Sequence, residues 1–293
     1  MSRSNGFGAL FSGMRAAVQW RLLLLWLLIM LIPVTLVALP LWRMLSGLLD
    51  TSVHSMEWAK GFNDIMFGDV IASFSDHPQW LVTDLALAQI TTLLLSPFLA
   101  GMVVGSGRAG RVLGFGALLQ SGLVEYGRMF RLFLWALIPY GVVIAVHLMG
   151  MHLVDKHTEQ AVLESQADRY ADIAHWVLIL VFVLMQSIVE SARAAFIADS
   201  SLRSATRALW RGIKQLFRRP VKTLAFYLVV TLAGLVLVSV FGLLRIHVTP
   251  VGFAGVALAL LLSQLVVLAF GWMRAARLFA LADVARDVMP GRR

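Results

Sequence analysis

Six long apolar runs, separated by shorter polar segments, dominate the pattern of hydrophobic and polar positions along the chain. Roughly 20 residues of helix, at about 1.5 Å each, cross a hydrocarbon core about 30 Å thick, and every run reaches that length. The pattern predicts six transmembrane helices, over residues 22–42, 82–104, 130–153, 174–197, 222–244 and 251–273. We therefore predict an all-α, polytopic membrane protein. The first run has no small-residue cleavage site, so it is predicted to be a retained span rather than a signal peptide.

A shared plan precedes three of these runs. The sequences GFGALFSGMRAAVQWRLLLLWLL (6–28) and GFGALLQSGLVEYGRMFRLFLWAL (114–137) each predict an amphipathic helix, an arginine near the membrane boundary and a Leu-rich span. Residues 201–228 follow the same plan with little identity. We predict a single membrane domain with three repeats, each an interfacial helix and two spans, at about 1–104, 105–197 and 198–293.

The third interfacial helix, over 201–219, has the clearest division into two faces. Its basic residues fall within about 80° of one another on a helical wheel. They are Arg203, Arg207, Arg211, Lys214 and Arg218. The opposite side is apolar and contains Leu202, Ala205, Leu209, Trp210, Ile213, Leu216 and Phe217. Asp199, Ser200 or Ser201 is predicted to cap the helix, and Pro220 to end it. We expect the helix to lie in the headgroup region with its arginines on lipid phosphates, or to dock a cytoplasmic protein partner.

Two segments on the side of the membrane opposite the three predicted interfacial helices are longer than simple turns. Residues 43–80 contain HSMEWAKGFNDIMFGDVIASF, which predicts a short interfacial helix. Residues 154–172 predict a polar extension of the third span that turns back into the fourth.

Composition and charge give the orientation. The chain is 59% hydrophobic and 14% charged, whereas soluble domains are about 45–50% apolar and about 25% charged. Of the 25 lysines and arginines, 20 fall on the side that carries both termini, and 11 of the 16 carboxylates fall on the other side. Because cytoplasmic loops retain positive charge, we predict a bacterial inner (plasma) membrane protein with both termini cytoplasmic. Anionic phospholipid is the expected partner, and nucleic acid is not, since the charge borders membrane spans and no recognition motif accompanies it.

Most catalytic chemistry finds no support in the sequence. Cysteine is absent, which excludes disulfides, thiolate nucleophiles and Cys-based metal sites. The hydrolase, zinc-protease and Walker motifs are absent as well. The histidines all lie in the outer half, but His147, His152 and His157 are spaced by five and so do not share one helix face. We predict no catalytic residues, no cofactor and no metal.

The sequence GSGRAG (105–110) matches the dinucleotide-binding pattern G-x-G-x-x-G. That pattern requires a preceding strand, whereas these residues follow the end of a span. We therefore predict a flexible cytoplasmic elbow, followed by a helix over 109–129. Arg108 and Arg111, with the free amides of that helix, are candidates for binding a lipid phosphate. Gly101-x-x-x-Gly105 predicts close packing of helices in the membrane.

Polar residues inside the spans form a second group of candidates, since each costs free energy in hydrocarbon. Gln186, Glu190 and Arg193 share one side of the fourth span. Gln89 lies in the second span and Gln264 in the sixth. One interpretation is a polar track through the bundle. The other is that Glu190 and Arg193 pair or reach the boundary while the glutamines bond between helices.

The stretch AAFIADSSLRSATRALWRGIKQLFRRPVKTLAFYLVV (194–230) resembles a pattern in poorly characterised bacterial six-span proteins. These are similar to the membrane domain attached to some glycerophosphodiester phosphodiesterases. The resemblance implies a fold but no activity, because the soluble catalytic domain has no counterpart in this chain.

The expected function is therefore non-enzymatic: a membrane scaffold, or an accessory that binds lipid or a partner through a basic cytoplasmic face. The chief alternative is a permease or transporter subunit that uses the polar track through spans two, four and six, and a membrane-embedded enzyme with dispersed residues is the third hypothesis.

Overall fold

The computed structural model describes residues 6–50, 52–54, 58, 63–76, 78–158 and 164–288. Over these residues the chain forms nine α-helices and no strand. The helices are α1 (Gly6–Ala16), α2 (Trp20–Leu49), α3 (Asp64–Asp76), α4 (Pro78–Ala109), α5 (Phe115–Thr158), α6 (Glu164–Ala198), α7 (Ala205–Arg218), α8 (Pro220–His247) and α9 (Gly252–Val288).

Six of these helices, α2, α4, α5, α6, α8 and α9, are long and apolar enough to cross a membrane. The prediction of an all-α polytopic membrane fold is thereby confirmed. The helices are longer than the predicted spans: α5 has 44 residues and is therefore about 66 Å long, roughly twice the hydrocarbon thickness. Prolines inside α2, α4 and α5 do not end these helices, as is common in membrane spans.

Three sequence-based boundaries require correction or qualification. The predicted helix over 109–129 was wrong at its start, because α4 continues through Ala109 and α5 begins at Phe115. The elbow is thus confined to the residues between them, where Gly110 has a φ of +61° that favours glycine. The segment predicted to be the second interfacial helix is continuous with the following span in α5, whereas α1 and α7 are separate from the helices that follow them. The predicted outer helix corresponds to α3, and residues 55–57 and 59–62 lie outside the described part of the chain.

The described residues form two compact units. The first contains the described parts of 1–19, 100–233 and 273–293. Its core is built on α6, where residues 187–197 are all buried, and on the end of α9, where 275–282 are all buried. Alanines are frequent in both stretches, and small side chains let helix backbones approach closely.

Glycines mark the closest approaches within the first unit. A Cβ on Gly105 would lie 2.3 Å from the Ser121 side chain, and one on Gly101 would lie 3.0 Å from the carbonyl oxygen of Gly122. A Cβ on Gly107 would lie 2.9 Å from Ile197 and from Phe279. Gly105 and Gly107 of GSGRAG therefore serve helix packing, and the predicted contact through Gly101-x-x-x-Gly105 is formed between α4 and α5.

The second unit contains the described parts of 20–99 and 234–272. Trp26 of α2 is buried, and a Cβ on Gly271 of α9 would lie 2.9 Å from its indole ring. Few of the large apolar side chains along α2 are buried, and most of those along α8 are exposed, as expected for helices whose surroundings are lipid rather than water.

Candidate functional site

A cluster of buried charged side chains lies in the first unit, where α6 packs against α9. Glu190 is fully buried, and Arg193 and Arg277 are each less than a tenth exposed. Nη1 of Arg193 donates to Oε1 of Glu190 at 3.0 Å. Nη2 of Arg277 lies 3.9 Å from the same oxygen. One carboxylate oxygen thus bridges two helices.

A third arginine and a tyrosine complete this charged cluster. Arg274, one helical turn before Arg277, interacts electrostatically with Glu190. Arg277 donates from Nη1 to the Tyr227 hydroxyl at 3.5 Å, and its guanidinium lies 5.3 Å from the centroid of that ring. Three arginines therefore surround one carboxylate, and Tyr227 of α8 stabilises one of them through the face of its ring. The cluster has an excess of two formal positive charges.

The polar contacts continue from Glu190 into α5. Nε2 of Gln186 donates to Oε1 of Glu190 at 3.5 Å, and the Tyr140 hydroxyl donates to Oε1 of Gln186 at 2.6 Å. The structure thus brings Gln186, Glu190 and Arg193 together, with Gln186 bonded to another helix and Glu190 paired with Arg193. Gln89 and Gln264 belong to the second unit, where Gln89 is exposed and Gln264 is half-buried.

A second ion-pair cluster joins α4, α5 and α6. Arg108 donates from Nη1 to Oε1 of Glu125 at 2.5 Å and from Nε to the Phe196 carbonyl oxygen at 2.7 Å. Nη1 of Arg128 lies 3.3 Å from Oε2 of Glu125. Arg108, a candidate for lipid phosphate, is therefore engaged by the protein itself. Arg111, the other residue predicted to bind a lipid phosphate, is exposed.

The start of α7 differs from the sequence prediction in its cap. Ser204 is the N-cap, and its hydroxyl accepts from the Arg207 backbone N–H at 3.4 Å. Asp199 instead forms an ion pair with Arg211 at 2.8 Å. Hydrogen bonding from the Ser201 hydroxyl, together with Arg211, lowers the pKa of Asp199 to about 2. Asp199 is therefore ionised at physiological pH and fixes one edge of α7 to the end of α6.

One face of α7 is buried against α5 and α6. It consists of Ala205, Ala208, Leu209, Gly212, Gln215 and Leu216. A Cβ on Gly212 would lie 2.5 Å from the carbonyl oxygen of Ile188, so the backbones of α6 and α7 touch there. Nε2 of Gln215 donates to the Leu281 carbonyl oxygen at 3.4 Å, which adds a contact to α9. The helix is held by protein on this side.

The predicted apolar face of α7 is divided in two. Leu209 and Leu216 are buried, whereas Trp210 is 66% exposed and Phe217 78% exposed. These two aromatic side chains, seven residues apart, form an exposed ridge on a second face of the helix. The third face is basic, and its exposed members are Arg207, Lys214 and Arg218, with Arg203 just before the helix.

The chain matches no protein-family model, no curated protein and no solved structure. The resemblance of residues 194–230 to six-span proteins stays a prediction. The function is therefore argued from the described residues alone.

Sequence reasoning missed Glu125, Tyr227, Arg274 and Arg277 as members of polar clusters. Residues 252–272 contain no charged side chain, and Arg274 and Arg277 follow one helical turn apart. That abrupt change, in a helix of 37 residues that continues through it, is a signal for charges directed into a protein core. The orientation prediction used Arg274 and Arg277 only as positive charges beside the membrane, so their place in a buried cluster was missed.

Proposed function

We propose that the protein is a non-enzymatic, multi-pass protein of the bacterial plasma membrane whose basic cytoplasmic face binds anionic phospholipid through α7. The unequal distribution of lysine and arginine supports this orientation, with 20 of 25 on the side of the termini. The anionic inner leaflet attracts basic segments next to the membrane by about 1 kcal/mol per residue.

The observation that carries the proposal is the division of α7 into three faces. An exposed aromatic ridge beside a basic face is the arrangement that places aromatic rings at the headgroup boundary and cations on phosphates. Trp210 and Phe217 supply the ridge, and Arg207, Lys214 and Arg218 supply the charge. A cleft of about 400 Å³ beside the basic face, lined in part by Lys214 and Arg218, gives space for a headgroup.

The close packing of α7 against α6 supports a role in presenting the aromatic ridge and the basic face to the membrane. Two contacts hold α7 to α6 within the first unit: the close approach of Gly212 to Ile188 and the ion pair of Arg211 with Asp199. A helix held in this way has less conformational entropy to lose when it binds than a free amphipathic segment. The buried face thus orients the ridge and the basic face together.

Reversal of the charge on the basic face is expected to abolish the preference for anionic lipid. The double variant R207E/K214E changes two exposed side chains, so the fold is expected to tolerate it. Loss of about 1 kcal/mol per cation lowers lipid association at these sites by about tenfold or more. Electron paramagnetic resonance of spin-labelled phosphatidylglycerol and phosphatidylcholine in bilayers that contain the protein measures this preference.

Two matched variants control that experiment. R169E removes an exposed arginine from the opposite end of α6, and R207K/K214R retains the charge. Both are expected to behave like the wild-type protein. Equal preference in R207E/K214E and wild type would contradict the proposal and would favour a protein partner as the occupant of α7.

The permease alternative makes a different prediction, which the absence of cysteine makes easy to test. We expect Gln186→Cys to be protected from a soluble thiol reagent, because Gln186 contacts Tyr140 and the buried Glu190. Ser200→Cys, at an exposed position, is the reactive control. Rapid labelling of both Gln186→Cys and Gln264→Cys would indicate a water-filled track and favour a transporter.

A further inference from the structure

A cleft of about 460 Å³ opens in the first unit between α1, the turn that follows α4 and the end of α9. Three arginines line it, one from each of these elements: Arg15, Arg111 and Arg286. Its inner wall is apolar and includes Ile197 and Phe279. The volume lies within the range of about 300–1,000 Å³ that is usual for small-ligand sites.

The walls of the cleft are built by close contacts. A Cβ on Gly13 of α1 would lie 3.1 Å from the backbone nitrogen of Ala280, so α1 rests directly on α9. The Ser106 hydroxyl donates to Oε1 of Gln19 at 2.7 Å, and Nε2 of Gln19 donates to the Ala16 carbonyl oxygen at 3.0 Å. These bonds connect the segment after α1 to α4, so the cleft is largely formed before any ligand arrives.

The charge of the cleft is unbalanced. Asp283 contributes one carboxylate, and Nη1 of Arg286 donates to it at 2.6 Å. Arg15 and Arg111 are exposed at the rim. The lining therefore has an excess of two formal positive charges, presented by guanidinium groups whose planar pairs of N–H donors match the oxygens of a phosphate.

The rim is also apolar in part. Val18 and Val112 line the cleft and are 65% and 57% exposed. Phe11, on the same helix as Arg15, is exposed as well. Cationic groups at the rim, next to exposed apolar side chains and above an apolar inner wall, suit a ligand with a phosphate at one end and an apolar portion beside it.

We infer that this cleft is a binding site for a phosphate-bearing ligand, with Arg15 and Arg111 holding the phosphate oxygens. A phospholipid headgroup and a soluble organic phosphate share this chemistry. If the ligand is a phospholipid, the inference rests on the proposed function. If the ligand is a soluble organic phosphate, the inference is independent of it. It is separate from the lipid contacts of α7, since none of the α7 residues lines this cleft.

Native mass spectrometry in mild detergent tests the lipid source, and thermal unfolding with added glycerol 3-phosphate tests the soluble one. Two variants probe the site in different ways. R15Q/R111Q removes the excess of two positive charges, and Ser12→Trp, at an exposed lining position, fills the space while leaving the arginines in place. R169Q, outside the cleft, is the control.

If the ligand is phospholipid, the wild-type protein is expected to retain one phosphatidylglycerol in preference to phosphatidylcholine. Both cleft variants are expected to weaken that retention about tenfold or more, while R207E/K214E preserves it. If the ligand is soluble, glycerol 3-phosphate is expected to raise the unfolding temperature of the wild type but of neither cleft variant.

The inference is overturned if neither ligand binds the wild-type protein, or if binding is equally strong in both cleft variants. Neither result would change the preference for spin-labelled phosphatidylglycerol over phosphatidylcholine, because that preference depends on α7. Conversely, loss of that preference with retention of a single phosphatidylglycerol in the cleft would count against the proposed function alone.

Discussion

Replacement of Glu190 with alanine is expected to lower the free energy of unfolding by about 3–5 kcal/mol, the cost typical of removing one partner from a buried ion pair. Glu190 is fully buried and is the carboxylate shared by Arg193, Arg274 and Arg277. Without it, three cations face one another where solvent screening is weak. Unfolding in mixed micelles, as the mole fraction of a denaturing detergent is raised, measures the change.

Charge rather than volume is expected to govern this effect, and a second substitution separates the two. Glu190→Gln retains most of the volume but is expected to be nearly as destabilising as alanine. Combining it with Arg193→Gln returns the cluster to an excess of two charges and is expected to restore part of the lost stability. An E190A protein as stable as the wild type would show that the cluster does not hold α6 and α9 together.

Substitution of Gly212 by valine is expected to separate α7 from α6 and to cost about 1–3 kcal/mol or more. Its Cβ would lie 2.5 Å from the Ile188 carbonyl oxygen and 2.9 Å from the Ala192 backbone nitrogen. Both are backbone atoms of α6, so no side-chain rotation relieves the clash. Hydrogen–deuterium exchange is expected to increase throughout α7, since its buried face loses contact with protein.

Gly127 provides the matched control, because it lies in α5 with nothing within 4 Å of an added Cβ. Gly127→Ala is expected to be neutral or slightly stabilising, since alanine favours the helix by about 1 kcal/mol relative to glycine. If Gly212→Val and Gly127→Ala gave the same exchange pattern, α7 would not be seated on α6 through Gly212.

Those features that depend on the period and length of apolar runs could be predicted from the sequence. The six spans and the basic face of α7 follow from spacing alone, and so does the grouping of Gln186, Glu190 and Arg193. The helix bounds were less accurate, since several helices continue beyond the hydrocarbon length that defined the predicted spans.

The division of the apolar face of α7 could not be predicted, for a physical reason. Leu209 and Trp210 are both apolar, but at about 100° per residue they point to different sides of the helix, and one is buried in protein while the other is exposed. Lipid tails are as apolar as a protein interior, so hydrophobicity does not distinguish the two environments. Likewise, Arg274 and Arg277 find Glu190 and Tyr227 only through tertiary packing, which spacing within one helix does not reveal.

The depth of α7 at the membrane tests the central claim most directly. A single cysteine at Trp210, Phe217, Arg207 or Lys214 of the cysteine-free chain accepts a nitroxide label. Collision of each nitroxide with oxygen, which enriches in lipid, is then compared with collision with a water-soluble nickel chelate. We predict that oxygen dominates at 210 and 217 and the nickel chelate at 207 and 214. Equal accessibility of all four positions to the nickel chelate would place α7 away from the lipid and contradict the account.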